Sequence, residues 1–289
     1  LGLAGGELAG SATADIGRDW LVGLGTSIIH GDSGNASNPS HLSWAATKPL
    51  SQSRLELLHE VARFAAAPLA LLEARTTLAA LLETYLGRRS AAQVLAGRLR
   101  RDAGETIRAA LLYADLRGFT ELSESIPPAE VVTTLDAWFD RIAGAVHAFG
   151  GEVLKFIGDG ILAIFPIGER DGSAACDAAL RAVDAACAGM DHLNRGRTGQ
   201  GKPPLSFGMA LHLGDMLWGN IGTADRLDFT AIGSAVNLVS RLEGLCRPLG
   251  QTVLLSGAFA AHSARQLKPL GEHTLRGIAE PCAVFAPEA

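Results

Sequence analysis

The pattern of apolar and polar positions from about Thr106 onwards predicts alternating strands and helices. Short apolar runs between turn residues predict buried strands, and apolar residues at spacings of three and four predict amphipathic helices. In chain order, the predicted elements are a strand at Ala109–Ala114, a helix opening at Pro127 and Pro128, strands at Glu152–Ile157 and Ile161–Phe165 around a tight Gly158-Asp159-Gly160 turn, a helix over Ser173–Leu193, strands at Leu205–Leu213 and Met216–Ile221 around Gly214-Asp215, and a helix from about Ser234. This order predicts an α/β fold (an α+β sandwich) with a ferredoxin-like βαββαβ core and extra C-terminal strands.

The N-terminal part of the chain has a weaker pattern. Residues 1–75 are rich in Gly, Ser and Asn, contain strand-like pieces at Trp20–Val22 and His41–Ala46, and enter a helix from Ser53. They resemble the end of a sensory domain of the GAF type, although a partly ordered leader fits nearly as well. Residues 76–105 have the apolar spacing of an amphipathic helix. We expect this segment to be either a helical connector that pairs across a dimer or a surface helix of its own domain.

Composition excludes several classes of function. A net charge of −5 provides no basic field for nucleic acid. The four cysteines have no C-x-x-C spacing, which favours reduced thiols in a cytoplasmic protein over a zinc site. No run approaches about 18 consecutive apolar residues, so we predict no membrane span. Because the chain starts at Leu1 with no basic segment before an apolar run, we expect its natural N-terminus to be missing.

Two carboxylates come together in the predicted fold. Asp115 ends an apolar strand, and Asp159 lies between two glycines at a hairpin tip. Each residue alone is also typical of an ordinary turn. In a βαββ order, however, both converge at one edge of the sheet, where they repel each other unless a cation lies between them. Two oxygen ligands suit Mg²⁺, which takes further ligands from substrate phosphates, and two such ions can act together.

A third set of polar residues lies on the helix that begins near Ser234. Asn237 and Arg241 are four residues apart, so they project from the same face of this helix. Apolar Val236, Val239 and Leu242 occupy the other side. Asn is unfavourable within a helix, which suggests that Asn237 makes a specific contact. A solvated Asn beside a surface Arg is the alternative.

Four motifs together resemble the class III adenylate and guanylate cyclases. They are Tyr113–Thr120 (YADLRGFT), Lys155–Gly160 (KFIGDG), Thr230–Leu242 (TAIGSAVNLVSRL), and Leu275–Ile278 (LRGI) followed by Pro281. The resemblance covers about residues 106–287, and the motifs occur in the family's order and spacing. It identifies residues 106–289 as a nucleotidyl cyclase catalytic domain.

The resemblance implies specific roles at the phosphate and metal sites. Asp115 and Asp159 would bind two divalent metal ions, Mg²⁺ or Mn²⁺, with the backbone carbonyl of Leu116 as a further ligand. The backbone amides of Phe119 and Thr120 would hold the triphosphate, in agreement with the affinity of helix N-termini for phosphate.

The resemblance also implies roles for three residues nearer the C-terminus. Asn237 would orient the ribose, and Arg241 would stabilise charge on the α-phosphate in the transition state. Arg276 stands where the family has a lysine that holds the terminal phosphates; it keeps the charge but has a different geometry.

Two positions indicate which nucleotide base the substrate would carry. Lys155 occupies a position where adenylate cyclases of this family have Lys and guanylate cyclases have Glu. Lysine only donates hydrogen bonds, which suits the N1 acceptor of adenine. Thr230 is the second position, where many adenylate cyclases have Asp and a bacterial subset has Thr. The expected activity is conversion of ATP to 3′,5′-cyclic AMP and pyrophosphate in signal transduction, with guanylate cyclase activity as the alternative within the family.

The family builds each site between two catalytic domains. This chain has one copy of each motif, which predicts a homodimer with two shared active sites. A catalytically silent, nucleotide-binding regulatory module on the same fold is a second alternative. A cyclic-dinucleotide synthase is a third, but its Gly-Gly-Asp/Glu-Glu-Phe signature is absent.

Overall fold

The computed structural model of the chain describes residues 14–15, 20–25, 41–46, 51–98, 104–168, 172–223 and 227–288. These residues form two compact units, one ending at Ala91 and the other beginning at Ala92. The second unit contains every candidate site residue predicted above.

The first unit consists of a small antiparallel sheet and a long helix. Its strands are β1 (Ala14–Asp15), β2 (Trp20–Gly25) and β3 (His41–Ala46), paired in that order. The strands predicted near Trp20 and His41 are thereby confirmed. Helix α1 (Gln52–Leu86) ends at Gly87, whose φ of 78° is left-handed, and α2 (Arg88–Leu95) follows. The proposed boundary at residue 75 falls inside α1, and the sensory-domain assignment stays a prediction.

Helix α1 is long and apolar enough to cross a membrane by length and composition alone. Its most apolar stretch is interrupted by Pro68, Glu73 and Arg75, and none of the residues of this described helix is buried. One helix with this length and composition does not establish a membrane span. The expectation that the chain has no span therefore stays a prediction.

The second unit is a mixed eight-stranded sheet covered by helices. Its elements are β4 (Gly104–Arg117), α3 (Phe119–Ser125), α4 (Pro128–Ala148), β5 (Glu152–Ile157), β6 (Gly160–Pro166), α5 (Gly172–Gly199), β7 (Ser206–Gly222), β8 (Leu227–Ile232), α6 (Ser234–Glu243), β9 (Val253–Ser256), α7 (Gly257–Ala260), β10 (Leu267–His273) and β11 (Cys282–Pro287). The strand order is β10-β11-β9-β7-β4-β6-β5, with β8 paired to β7. The central order β7-β4-β6-β5 is the ferredoxin-like arrangement, which confirms the predicted fold class and extra C-terminal strands.

Alternating residues of β4 divide the core between the two faces of the sheet, because side chains along a strand point to opposite sides. Leu112, Ala114 and Leu116 join the cluster that includes residues of α4 and α5. Ile107, Ala109 and Leu111 join the cluster that includes residues of α6. By the same alternation, Tyr113 and Asp115 lie on the α6 side.

The prediction of two strands around a Gly214-Asp215 turn is wrong. Both residues lie within the continuous strand β7, where Gly214 pairs with Ala109 and Asp215 with Arg108. A Cβ at position 214 would lie 2.8 Å from the Cβ of Ala235 on α6 and 2.8 Å from Nε2 of His212. Glycine is therefore needed at this position for the close approach of α6.

Candidate active site

The two predicted carboxylates converge where β4 ends beside the β5–β6 hairpin. The β4–β6 pairing extends to Ala114 and Ile161, and Asp115 is the next residue of β4. The hairpin closes with Ile157 paired to Gly160, so Gly158 and Asp159 form its two-residue turn. Gly158 adopts a left-handed φ of 63°, which glycine accommodates without a steric penalty. The predicted position of Asp159 at a hairpin tip is confirmed.

The electrostatics of the pair fit a cation-binding function. Burial together with the charges of Asp159 and Glu243 raises the pKa of Asp115 to about 7, and the protonated form of Asp115 shares a hydrogen bond with the side chain of Asp159. Oδ1 of Asp115 is buried and has no hydrogen-bond partner among the described residues. Two adjacent carboxylates and an unsatisfied oxygen are a suitable donor set for a hard divalent cation. No group of three or more His, Cys, Asp or Glu side chains that could hold a metal occurs in the described ranges.

Two aromatic side chains, buried Trp138 and half-buried Tyr113, hold the hairpin tip. The indole Nε1 of Trp138, on α4, donates a hydrogen bond to the backbone oxygen of Asp159 at 2.9 Å. On the other side, a Cβ at Gly160 would lie 2.6 Å from Oη of Tyr113, so the hairpin contacts this phenol closely. Tyr113 also shares a hydrogen bond with Ser240 on α6, and burial together with the nearby carboxylates raises its pKa to about 12.

Helix α6 presents different residues on its two sides. Ala235, Val239 and Leu242 are buried, whereas Asn237 and Arg241 are exposed. Arg241 and Glu243 are two residues apart and thus about 200° apart around the helix. Glu243 lies close enough to Asp115 to raise its pKa, so Arg241 projects away from the carboxylate pair of its own chain.

Lys155 and Thr230 lie on two strands that approach each other. The β5–β6 ladder shifts register between Val153 and Lys155, a bulge that can redirect a side chain. The ammonium group of Lys155 forms an ion pair with Asp228 on β8. Thr230 is two residues beyond Asp228 and therefore on the same side of the strand. The two predicted base-reading residues thus lie in one region of one chain.

The remaining predicted residues occupy separate positions. Leu116 is buried in β4. Phe119 begins α3 immediately after Gly118, whose φ is 70°, and Thr120 is exposed. Arg276 is exposed between β10 and β11, at the edge of the sheet farthest from β5. The roles assigned to these four residues stay predictions.

Sequence reasoning missed three residues near the predicted set: Trp138, Asp228 and Glu243. Trp138 lies on the helix that was predicted to open at Pro127 and Pro128, but it was not identified as a donor to the hairpin. Its indole NH was a signal, since buried tryptophan usually has a hydrogen-bond partner. Asp228 could have been found because it lies two residues before Thr230 and therefore on the same side of a strand. No local signal distinguishes Glu243 from a solvated carboxylate at a helix end.

Comparison with known proteins identifies the second unit. A family model described as the adenylate and guanylate cyclase catalytic domain matches residues 102–277. An adenylate cyclase of Anabaena cylindrica is 35% identical over 158 residues, which are 53% of this chain and 30% of that protein. The chain therefore matches less than a third of the length of this relative.

Two solved structures show the same fold. The adenylyl cyclase CyaB from P. aeruginosa is 26% identical with a TM-score of 0.57, covering 63% of this chain and 94% of that one. The guanylyl cyclase Cya2 is 29% identical with a TM-score of 0.53, covering 63% of this chain and 92% of that one. Because similar structures include enzymes named for either base, similarity alone does not decide the nucleotide.

Proposed function

The chain belongs to the adenylate and guanylate cyclase catalytic-domain family, and we propose that it is an adenylate cyclase that forms 3′,5′-cyclic AMP and pyrophosphate from ATP. The observation that carries this proposal is the convergence of Asp115 and Asp159, with one buried oxygen of Asp115 lacking a partner among the described residues. A cytoplasmic location and a role in signal transduction are part of the same proposal.

The carboxylates and the adjacent backbone form the metal-binding part of the proposed site. Asp115, Asp159 and the carbonyl of Leu116 would hold two ions, Mg²⁺ or Mn²⁺, which would acidify the ribose 3′-hydroxyl and neutralise phosphate charge. Trp138 fixes the backbone of Asp159, which keeps the second carboxylate close to the first. The backbone amides of Phe119 and Thr120 would orient the triphosphate.

Lys155 and Thr230 would select the base. The Lys155 ammonium has three donors and no acceptor, so it can keep its ion pair with Asp228 and donate to N1 of adenine. Guanine presents a donor at N1, which the ammonium group would repel. The hydroxyl of Thr230 can donate or accept and therefore contributes less discrimination. These properties favour ATP over GTP.

Arg241 and Asn237 would act on the reacting part of the substrate. Asn237 would hold the ribose so that its 3′-oxygen faces the α-phosphorus, and Arg241 would stabilise the charge that develops on the α-phosphate. Arg276 would bind the terminal phosphates. Positioning and charge stabilisation account for most of the catalysis in phosphoryl transfer, so Arg241 should contribute several kcal/mol to transition-state binding.

The proposed site is completed by a second copy of the chain. Arg241 projects about 200° away from Glu243 around α6, and Glu243 adjoins the carboxylates of the same chain. Arg241 is therefore better oriented to serve a partner's carboxylates. Large apolar side chains on the hairpin and β8 are also exposed in the isolated chain, namely Phe156, Ile157, Leu227 and Ile232. Such an apolar surface suits burial in a homodimer.

Product analysis tests the proposed reaction. The purified chain is incubated with Mn²⁺ and either ATP or GTP, and the products are identified by mass. We expect cyclic AMP from ATP, abolished by Asp159→Asn and retained by Asp140→Asn, which removes an exposed carboxylate of α4. Cyclic GMP as the main product would contradict the base assignment. Metal-dependent nucleotide binding without turnover would instead favour the silent regulatory module.

A further inference from the structure

A third carboxylate occupies space beside Asp115. The residue directly opposite Asp115 across the β4–β7 ladder is Gly208, and opposing residues of an antiparallel pair have neighbouring positions on the same face. A Cβ at Gly208 would lie 2.2 Å from Oε1 of Glu243. The carboxylate of Glu243, at the end of α6, therefore fills the place where a side chain opposite Asp115 would otherwise be.

Arg117 accompanies this carboxylate. Its Nη2 donates a hydrogen bond to the backbone oxygen of Gln251 at 2.5 Å, and its Nε is buried with no hydrogen-bond partner among the described residues. The positive charge of Arg117 lowers the pKa of Glu243, which burial and Asp159 raise. Arg117 thus partly offsets the cost of a charge beside two other carboxylates.

We propose that Glu243 is a positioning residue for the metal carboxylates, which confines the side chain of Asp115 and adds negative charge that strengthens divalent-cation binding. An apolar side chain would fill the space over Gly208 without the cost of burying a charged group. A carboxylate at this position is explained if its charge and shape serve the cation. Glu243 is not proposed as a ligand. The inference rests on the proposed function, because it assumes that Asp115 and Asp159 bind metal.

Direct measurement of Mn²⁺ binding by electron paramagnetic resonance tests this role without requiring catalysis. Glu243→Gln keeps the side-chain shape and removes the charge, and exposed Glu272→Gln on β10 is the matched control. We expect Glu243→Gln to weaken Mn²⁺ binding roughly tenfold, as is typical when groups supporting metal ligands are removed. The Mn²⁺ concentration for half-maximal activity should rise in parallel, while kcat at saturating Mn²⁺ stays near that of the unmodified protein.

A second variant moves the carboxylate without removing its charge. Gly208→Ala places a Cβ against Oε1 of Glu243, and it should also weaken Mn²⁺ binding, though less than Glu243→Gln. Unchanged Mn²⁺ affinity in a folded Glu243→Gln protein would overturn the inference, as would equal weakening by Glu272→Gln. Failure of the unmodified protein to bind Mn²⁺ would overturn the proposed function and this inference with it.

Discussion

Replacing Asp115 by Asn should abolish activity but stabilise the metal-free protein. The substitution removes one of two carboxylates that repel each other and keeps the side-chain shape. In the metal-free protein, burial and the charges of Asp159 and Glu243 raise the pKa of Asp115 from 3.8 to about 7. The ionised carboxyl therefore opposes folding wherever no cation compensates for it.

The size and the sign of this effect follow from the pKa difference between the folded and unfolded states. The change to about 7 corresponds to roughly 4 kcal/mol at 1.36 kcal/mol per pH unit, and partial solvent exposure reduces this to about 2 kcal/mol. Because the folded state binds the proton more tightly, stability decreases as pH rises from about 4 to about 7 and stays low above that range. The Asn variant lacks this dependence.

Urea unfolding of both proteins in EDTA, from pH 4 to pH 8, measures the effect. We expect Asp115→Asn to be about 2 kcal/mol more stable than the unmodified protein at pH 8 and equal to it near pH 4. Exposed Asp140→Asn is the control and should change little. Added Mn²⁺ should stabilise the unmodified protein but not the variant. A variant that is less stable than the unmodified protein at pH 8 in EDTA would show that the ionised Asp115 carboxyl does not oppose folding.

Two further substitutions test the supports of the hairpin. Trp138→Phe removes the donor to the backbone oxygen of Asp159. It should lower the free energy of unfolding by about 1 kcal/mol, measured by urea unfolding, and it should reduce kcat, measured from initial rates. An unchanged kcat would show that this hydrogen bond does not position Asp159. Gly160→Ala places a Cβ 2.6 Å from Oη of Tyr113 and should be destabilising, while adding Tyr113→Phe should recover part of the loss in thermal unfolding. Additive losses in the double variant would contradict the predicted clash.

The sequence predicted the central fold well because its local signals agree with the tertiary arrangement. The strand Glu152–Ile157 has the predicted bounds, since a tight glycine-containing turn defines its end. The prediction of a turn at Gly214-Asp215 was wrong for a physical reason. Glycine and aspartate favour turns locally, but at position 214 the close approach of α6 requires glycine within a continuous strand. Such a contact between distant segments leaves no local pattern.

Only part of the candidate site could be predicted, again because contacts between distant segments leave no local pattern in the sequence. Asp115 and Asp159 could be paired from strand order alone, because that order determines which strand ends meet. Glu243 could not be recognised, since its importance depends on Gly208 lying opposite Asp115 in another strand. The ion pair of Lys155 with Asp228 likewise depends on how β5 and β8 approach each other. The residues that support the site were therefore identified only from the structure.

The most direct test of the account is recovery of activity on mixing two inactive variants. Asp115→Ala lacks a metal carboxylate, and Arg241→Ala lacks the proposed transition-state cation. We expect each variant alone to form almost no cyclic AMP. After subunit exchange at equal concentrations, the mixture should reach about a quarter of the unmodified activity, because half of the dimers are mixed and each contains one complete site of two. A mixture that stays inactive, although mixed dimers form and the unmodified protein makes cyclic AMP, would contradict shared active sites.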